Sequence, residues 1–134
     1  MEYKIEDIDK LIDEWIDFQY KMKKAKSNEE EDEIEMYDVE LMDCILEKNP
    51  KLGISIILKI LEKDKRGELY PILAADLLED LLSLHGNFII DDIQKLAEKN
   101  LKFKKLLGGV WQGEMSKDLY AKIINIAGGE TARW

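Results

Sequence analysis

Apolar residues return at helical spacing almost from the start of the chain. Ile5, Ile8, Leu11, Ile12, Trp15, Ile16 and Phe18 form one stripe, with Asp9, Asp13, Glu14 and Asp17 on the other face. The pattern predicts an amphipathic helix over about 5–24. Its tail, KMKKAK, sets Lys21, Lys23, Lys24 and Lys26 at the end where the helix dipole favours cations. Ser27 and Glu30 have capping-box spacing, so a second helix is expected to start there. It is expected to run through Ile34, Tyr37, Leu41 and Ile45 to about Lys48. Asn49-Pro50 joins a good N-cap to the first helical position, which tolerates proline. The stretch LGISIILKILEK then has apolar residues on nearly every side. It predicts the most buried helix, with Ile56, Ile57 and Leu61 inside.

Pro71 opens the next helix, ILAADLLEDLLSLHG, which His85 and Gly86 are expected to end. Glycine suits the left-handed C-terminal position, and histidine suits the negative end of the dipole. Asn87 is read as the cap of FIIDDIQKLAEKN, and Asn100 as its end. LKFKKLLGG reads as a short helix stopped by two glycines, and Ser116 as the cap of KDLYAKIINIAGG. Gly128-Gly129 are expected to release ETARW as a frayed tail. No alternation of period two is long enough for a sheet. The expected architecture is all-α, about seven helices in antiparallel hairpins, as a compact multi-helix bundle or a short helical-repeat stack. A single domain over 1–134 is expected, with an acidic helical hairpin in 1–50 and a near-neutral helical core in 51–134.

Charge sharpens that division. The chain of 134 residues carries a net charge of −9, with 46% hydrophobic and 37% charged residues. Such a composition belongs to a globular domain with a real core. Residues 1–50 hold 17 acids against 7 lysines, while 51–134 hold 12 acids against 13 bases. Within the first part, SNEEEDEIE places six acids in nine positions. Five consecutive acids, Glu29 to Glu33, exceed what a helix start requires. This field repels nucleic acid and anionic membrane and favours a basic protein partner. Glu29, Glu31, Asp32, Glu33, Glu35, Asp13 and Asp17 are the candidate partner-binding acids, with Tyr37 as an aromatic anchor. Trp15, Phe18 and Tyr20 are further aromatic candidates, core packing being the ordinary role of Trp15. The competing reading of the same acids is solubility alone.

Little in the chain suggests chemistry. One cysteine, Cys44, excludes an internal disulfide; it falls in an apolar pattern and is expected to be a small buried hydrophobe in a cytoplasmic protein. The N-terminal stretch has acids where a signal peptide needs bases and an apolar run. No stretch reaches the roughly 18–20 apolar residues of a membrane span. One histidine and one cysteine leave little for a zinc site or a Cys–His dyad, so no catalytic group, metal or cofactor is expected. Carboxylates pair at Asp9 and Asp13, at Asp76 and Asp80, and at Asp91-Asp92, which 29 acids produce by chance. LLGGVWQG lacks the Lys and the Ser/Thr of a phosphate loop. Gly108 and Gly109 are expected to form a packing corner, at least one with positive φ. There Trp111 would fold back onto a neighbouring helix, and Glu79-Asp80 would accept the free N–H groups of the turn.

LEDLLSLHG (78–86), followed nineteen residues later by LLGGVW (106–111), resembles a family of uncharacterised small bacterial helical proteins. Phe103, Leu106, Leu107, Gly108, Gly109, Val110 and Trp111 match its F-x-x-L-L-G-G-V-W segment, and His85-Gly86 its His-Gly pair. The family often has Gly-Pro ahead of L-E-D, where this chain has Asp76-Leu77. The resemblance covers about residues 70–115; it implies an α-helical bacterial domain and no activity. The functional expectation therefore rests on charge. It is a non-catalytic immunity protein that binds and neutralises a basic, nuclease-type toxin domain; the alternative is a general adaptor or regulatory helical module.

Overall fold

The computed structural model describes residues 3–134. Among them all regular structure is helical: α1 (Ile5–Lys24), α2 (Asn28–Asp32), α3 (Val39–Lys48), α4 (Pro50–Lys63), α5 (Tyr70–Leu73), α6 (Glu79–Lys99), α7 (Leu101–Leu107) and α8 (Lys117–Ala127). A π-turn, Ala74–Leu78, splices α5 to α6, and a 3₁₀ turn, Glu130–Ala132, follows α8.

The core is built on α4, which packs against α1, α3, α6 and α7. Ile56, Ile57, Ile60 and Leu61 are buried there. Ile54 and Leu58 are only half-buried, so α4 is central without being enclosed on every side. Two junctions are a single residue long. Asn49 ends α3 and caps α4, its Oδ1 accepting from Leu52 N at 3.1 Å. Asn100 does the same between α6 and α7, accepting from Phe103 N at 3.1 Å. Each asparagine side chain satisfies one of the four donors that a helix start leaves open.

The acidic run does not extend into the helix after it. Ser27 caps α2 as its spacing requires, with Oγ accepting from Glu30 N. Glu30 returns its carboxylate to Lys26 N, one residue before the usual capping-box target. The helix then stops at Asp32, and Asp38 starts α3 afresh by accepting from Leu41 N. Tyr37 lies in the connector, edge-on to Phe18 of α1 with ring centroids 5.5 Å apart. Closely spaced like charges oppose a longer helix here, and the Tyr37–Phe18 contact fastens the connector instead.

The opposite correction applies at His85-Gly86, where no helix ends. Tyr70 to Lys99 is one rod of about 45 Å, interrupted only by the π-turn. Asn87 is consequently an exposed residue within α6, and no cap. Gly86 is buried because α8 crosses at that point: a Cβ there would stand 2.5 Å from Leu119 Cδ2. His85 Nε2 lies 2.8 Å from the Leu46 carbonyl oxygen, tying α6 to α3. One expected helix is split and two are joined, and the fold remains all-α.

The C-terminal segment is docked where fraying was expected. Gly128 and Gly129 have φ of +121° and +95°, which turns the chain back over α7. Trp134 N donates to Gly108 O at 3.1 Å, and its indole Nε1 donates to Lys105 O at 2.7 Å. Trp134 thus adds a second donor to the Lys105 carbonyl, already bonded by Gly108 N, and supplies a donor to the Gly108 carbonyl just after α7. Gly108 and Gly109 form its seat. A Cβ on Gly109 would sit 2.5 Å from the indole ring, and one on Gly108 would collide with the Ala132 carbonyl. Neither glycine has positive φ, so close approach rather than backbone conformation demands them. Cys44 is half-buried, its Sγ 3.6 Å from the Tyr3 hydroxyl.

Candidate acidic binding face

Of the acids assigned to partner binding from the sequence, two are already neutralised. Asp13 pairs with Lys63 of α4 at 2.8 Å, and Asp17 with Lys21 one turn along α1 at 2.8 Å. Asp9 similarly meets Lys59 at 3.6 Å. These acids fasten α1 to α4 or brace α1. Glu29, Glu31, Asp32, Glu33 and Glu35 are all exposed and join no ion pair among the described residues. Trp15 is 0% exposed and belongs to the core. Tyr37 is half-buried, so its ring is mostly committed to Phe18.

A second group of acids converges from distant parts of the chain. Asp43 and Glu47 of α3, Glu79 and Asp80 of α6, and Glu114 of the loop before α8 line a groove of about 530 Å³. Asp43 and Glu47, four apart, share one face of α3. The long rod brings Glu79 and Asp80 beside them, since α3 packs on α6. Glu79 also organises the loop: its Oε1 accepts from Trp111 N at 3.2 Å, and Gly113 lies against its side chain. Asp80 takes no part in that turn and faces the groove. Leu84 lines the same groove, and Trp111 is 68% exposed beside it instead of folding back onto a helix.

The inner end of this face reaches the π-turn. Asp76 is half-buried there, and its carboxyl is pushed up to about 6, first by burial and then by the neighbouring Asp80 and Asp43. The Trp15 indole N–H faces the same carboxyl and pulls it slightly back, yet reaches no acceptor in hydrogen-bonding geometry among the described residues. Asp80 is raised as well, by burial and then by Asp43. Burial, then Asp76, Asp43 and Asp80, push the Tyr37 hydroxyl up to about 12. Tyr37 therefore links the connector bearing Glu33 and Glu35 to the Asp43–Asp76–Asp80 group. Mutual repulsion of this kind is a cost that a cationic partner would relieve.

Sequence reasoning took Asp76 and Asp80 as a chance pair and Asp80, with Glu79, as an acceptor for the glycine turn, and passed over Asp43, Glu47, Leu84 and Glu114 as site residues. A signal was present. Asp43, Asp76, Glu79 and Asp80 have no base three or four residues away, whereas Glu14 and Asp17 of α1 do. No three of the described His, Cys, Asp and Glu residues are grouped so as to hold a metal ion. No helix is long and apolar enough to cross a membrane among the described residues. The arrangement offers charge, an exposed indole and an exposed leucine, the materials of a protein-binding surface.

A family model described as a family of unknown function (DUF6869) matches residues 24–131. No curated protein and no solved structure matches the chain.

Proposed function

For a chain that belongs to this family of unknown function, we propose a non-catalytic role as an acidic protein-binding module whose partner is basic. The observation that carries the reading is the convergence of Asp43, Glu47, Glu79, Asp80 and Glu114 on one groove, in no ion pair among the described residues, with the exposed Trp111 bonded through its backbone to Glu79. Acids that serve solubility scatter over a surface. These gather in a concavity, where burial and then Asp43 raise the Asp80 carboxyl, and the backbone N–H of the exposed Trp111 is bonded to Glu79. Electrostatic complementarity of this kind speeds encounter and selects the partner, while an aromatic anchor supplies hold.

The partner that fits best is a toxin domain of the nuclease type, because a nuclease needs a basic groove for nucleic acid. The protein would then be a bacterial, cytoplasmic immunity protein, blocking that groove with its own acids. Stoichiometric inhibition requires no catalytic group. Affinity capture of the full chain from its native host, followed by nuclease assay of the captured protein, tests the reading. The expected result is a basic protein whose nuclease activity falls as one equivalent of this chain is added. Capture of a non-toxic partner that bears no such activity would replace immunity by a regulatory adaptor role. A partner that lacks a basic surface would remove the electrostatic reading altogether.

A further inference from the structure

The opposite kind of surface lies between the end of α4 and α7. A groove of about 530 Å³ is lined by Lys65 and Arg66 of the turn after α4, Lys102 and Lys105 of α7, and the rings of Tyr70 and Trp134. That volume is in the range of small-molecule sites, roughly 300–1,000 Å³. Four cations around one opening are unexpected in a chain with nine more acids than bases.

Lys10 pairs with Glu14, Lys21 with Asp17, Lys59 with Asp9 and Lys63 with Asp13. Lys65, Lys102 and Lys105 pair with no carboxylate among the described residues. Lys102 and Lys105 are three apart on α7 and so share a face. The Lys105 ammonium stands 5.5 Å from the centre of the Tyr70 ring. One acid, Asp64, lines the groove, but it is buried and both its oxygens are engaged. Oδ1 accepts from the Tyr20 hydroxyl at 3.0 Å and Oδ2 from Leu69 N at 2.9 Å. Asp64 thereby braces the turn that carries Lys65 and Arg66. Arg66 has only a long contact, 3.9 Å, to Glu68.

The aromatic wall is equally well braced. Trp134 is held by one hydrogen bond to Lys105 of α7 and one to Gly108 just after it, and its ring lies against the Gly108-Gly109 seat. Its ring centre is 6.4 Å from that of Tyr70. The indole nevertheless remains 47% exposed, at the groove. A rigid, half-exposed indole beside unpaired lysines offers a stacking surface and charge-assisted donors together.

We propose that this groove binds a small organic phosphate bearing a planar ring, the chemistry of a nucleotide. Lysine and arginine take the phosphate oxygens. Trp134 and Tyr70 take the ring, as aromatic side chains do for bases. A long polyanion is disfavoured, because its remainder would run against a molecule of net charge −9. The groove is separate from the acidic face, and neither assignment depends on the other.

Calorimetric titration of the full chain at low salt with adenosine monophosphate, ribose 5-phosphate, inorganic phosphate and adenosine tests the proposal. Adenosine monophosphate should bind saturably and quench tryptophan fluorescence, with ribose 5-phosphate and phosphate weaker and adenosine silent. Lys102→Gln and Lys105→Gln should each weaken it roughly tenfold, while Lys59→Gln, outside the groove, should leave it unchanged. Trp134→Leu should make the nucleotide and ribose 5-phosphate bind alike. Folding of each variant is checked by its melting curve; both lysines are exposed, so their replacement leaves the core intact. Absence of saturation at millimolar nucleotide, binding indifferent to both lysine variants, or phosphate binding as tightly as the nucleotide would each overturn the proposal. Tighter binding of a Glu-rich peptide at the same lysines would overturn it in favour of an acidic polypeptide.

Discussion

Asp76 and Trp134 show how single residues carry tension or relief in this fold. The Asp76 carboxyl titrates at about 6 in the folded chain against an ordinary 3.8. Between those values the folded state holds a proton that the unfolded state has released. Its contribution is therefore full below pH 3.8 and is lost as pH rises to about 6. Asp76→Asn should stabilise the protein at pH 7 by about 1 kcal/mol, a modest figure because water still screens one side of the carboxyl. The gain should vanish by pH 4, as parallel thermal melts would show. Trp134 has the reverse role, closing a surface that two glycines leave open. Gly109→Ala should cost about 1–2 kcal/mol by pushing the indole off its seat. In a Trp134→Ala background the same substitution should cost much less, a coupling that a double-mutant cycle in urea measures.

Helix boundaries depend on contacts that single helices do not contain. His85-Gly86-Asn87 has the composition of a stop, yet α6 passes through it. Glycine in a helix interior costs about 1 kcal/mol relative to alanine, and here that cost admits the close crossing of α8 at Leu119. Gly86→Ala therefore should not deliver the usual helix gain. Overpacking against Leu119 costs about 1–3 kcal/mol, so the variant should be less stable than the parent. Adding Leu119→Ala should restore the benefit of alanine at 86; if Gly86→Ala alone raises the denaturation midpoint, the crossing is looser than described. The acidic stretch shows the converse. Its cap is local and legible, Ser27 to Glu30, but the break after Asp32 comes from charge crowding and from Tyr37 reaching Phe18.

Across the whole molecule, charge is sorted into faces of opposite sign. The run Glu29–Glu33 and the groove of Asp43, Glu47, Glu79, Asp80 and Glu114 are both acidic, while Lys65, Arg66, Lys102 and Lys105 gather elsewhere. Two neutralised variants separate the acidic contributions. Replacing Glu29, Glu31, Asp32 and Glu33 by Gln or Asn, with Ser27 and Glu30 kept, should slow association with a basic partner but leave dissociation near the parental rate. The slowing should fade at 1 M salt, where the Debye length is about 3 Å. Asp43→Asn with Glu47→Gln and Trp111→Ala should instead speed dissociation, as loss of a buried anchor does. Surface plasmon resonance at two salt concentrations distinguishes them, and unchanged dissociation in the groove variant would place the contact elsewhere.

Most helix starts and the inward stripes were legible in the chain because both are local. Spacing at three and four residues puts Ile8, Leu11, Ile12 and Trp15 on one face, and Asn49, Asn100, Ser116 and Ser27 cap by their own side chains. Charge asymmetry was legible too, as a sum over residues. What the tertiary structure alone decided is which polar groups meet. Asp13 found Lys63 fifty residues away, and five acids from α3, α6 and a loop found one another. Gly108 and Gly109 proved to be the floor for a tryptophan beyond α8. Such meetings depend on the packing angles of helices around α4. Those angles follow from the summed fit of many buried side chains, so no short stretch of sequence contains them.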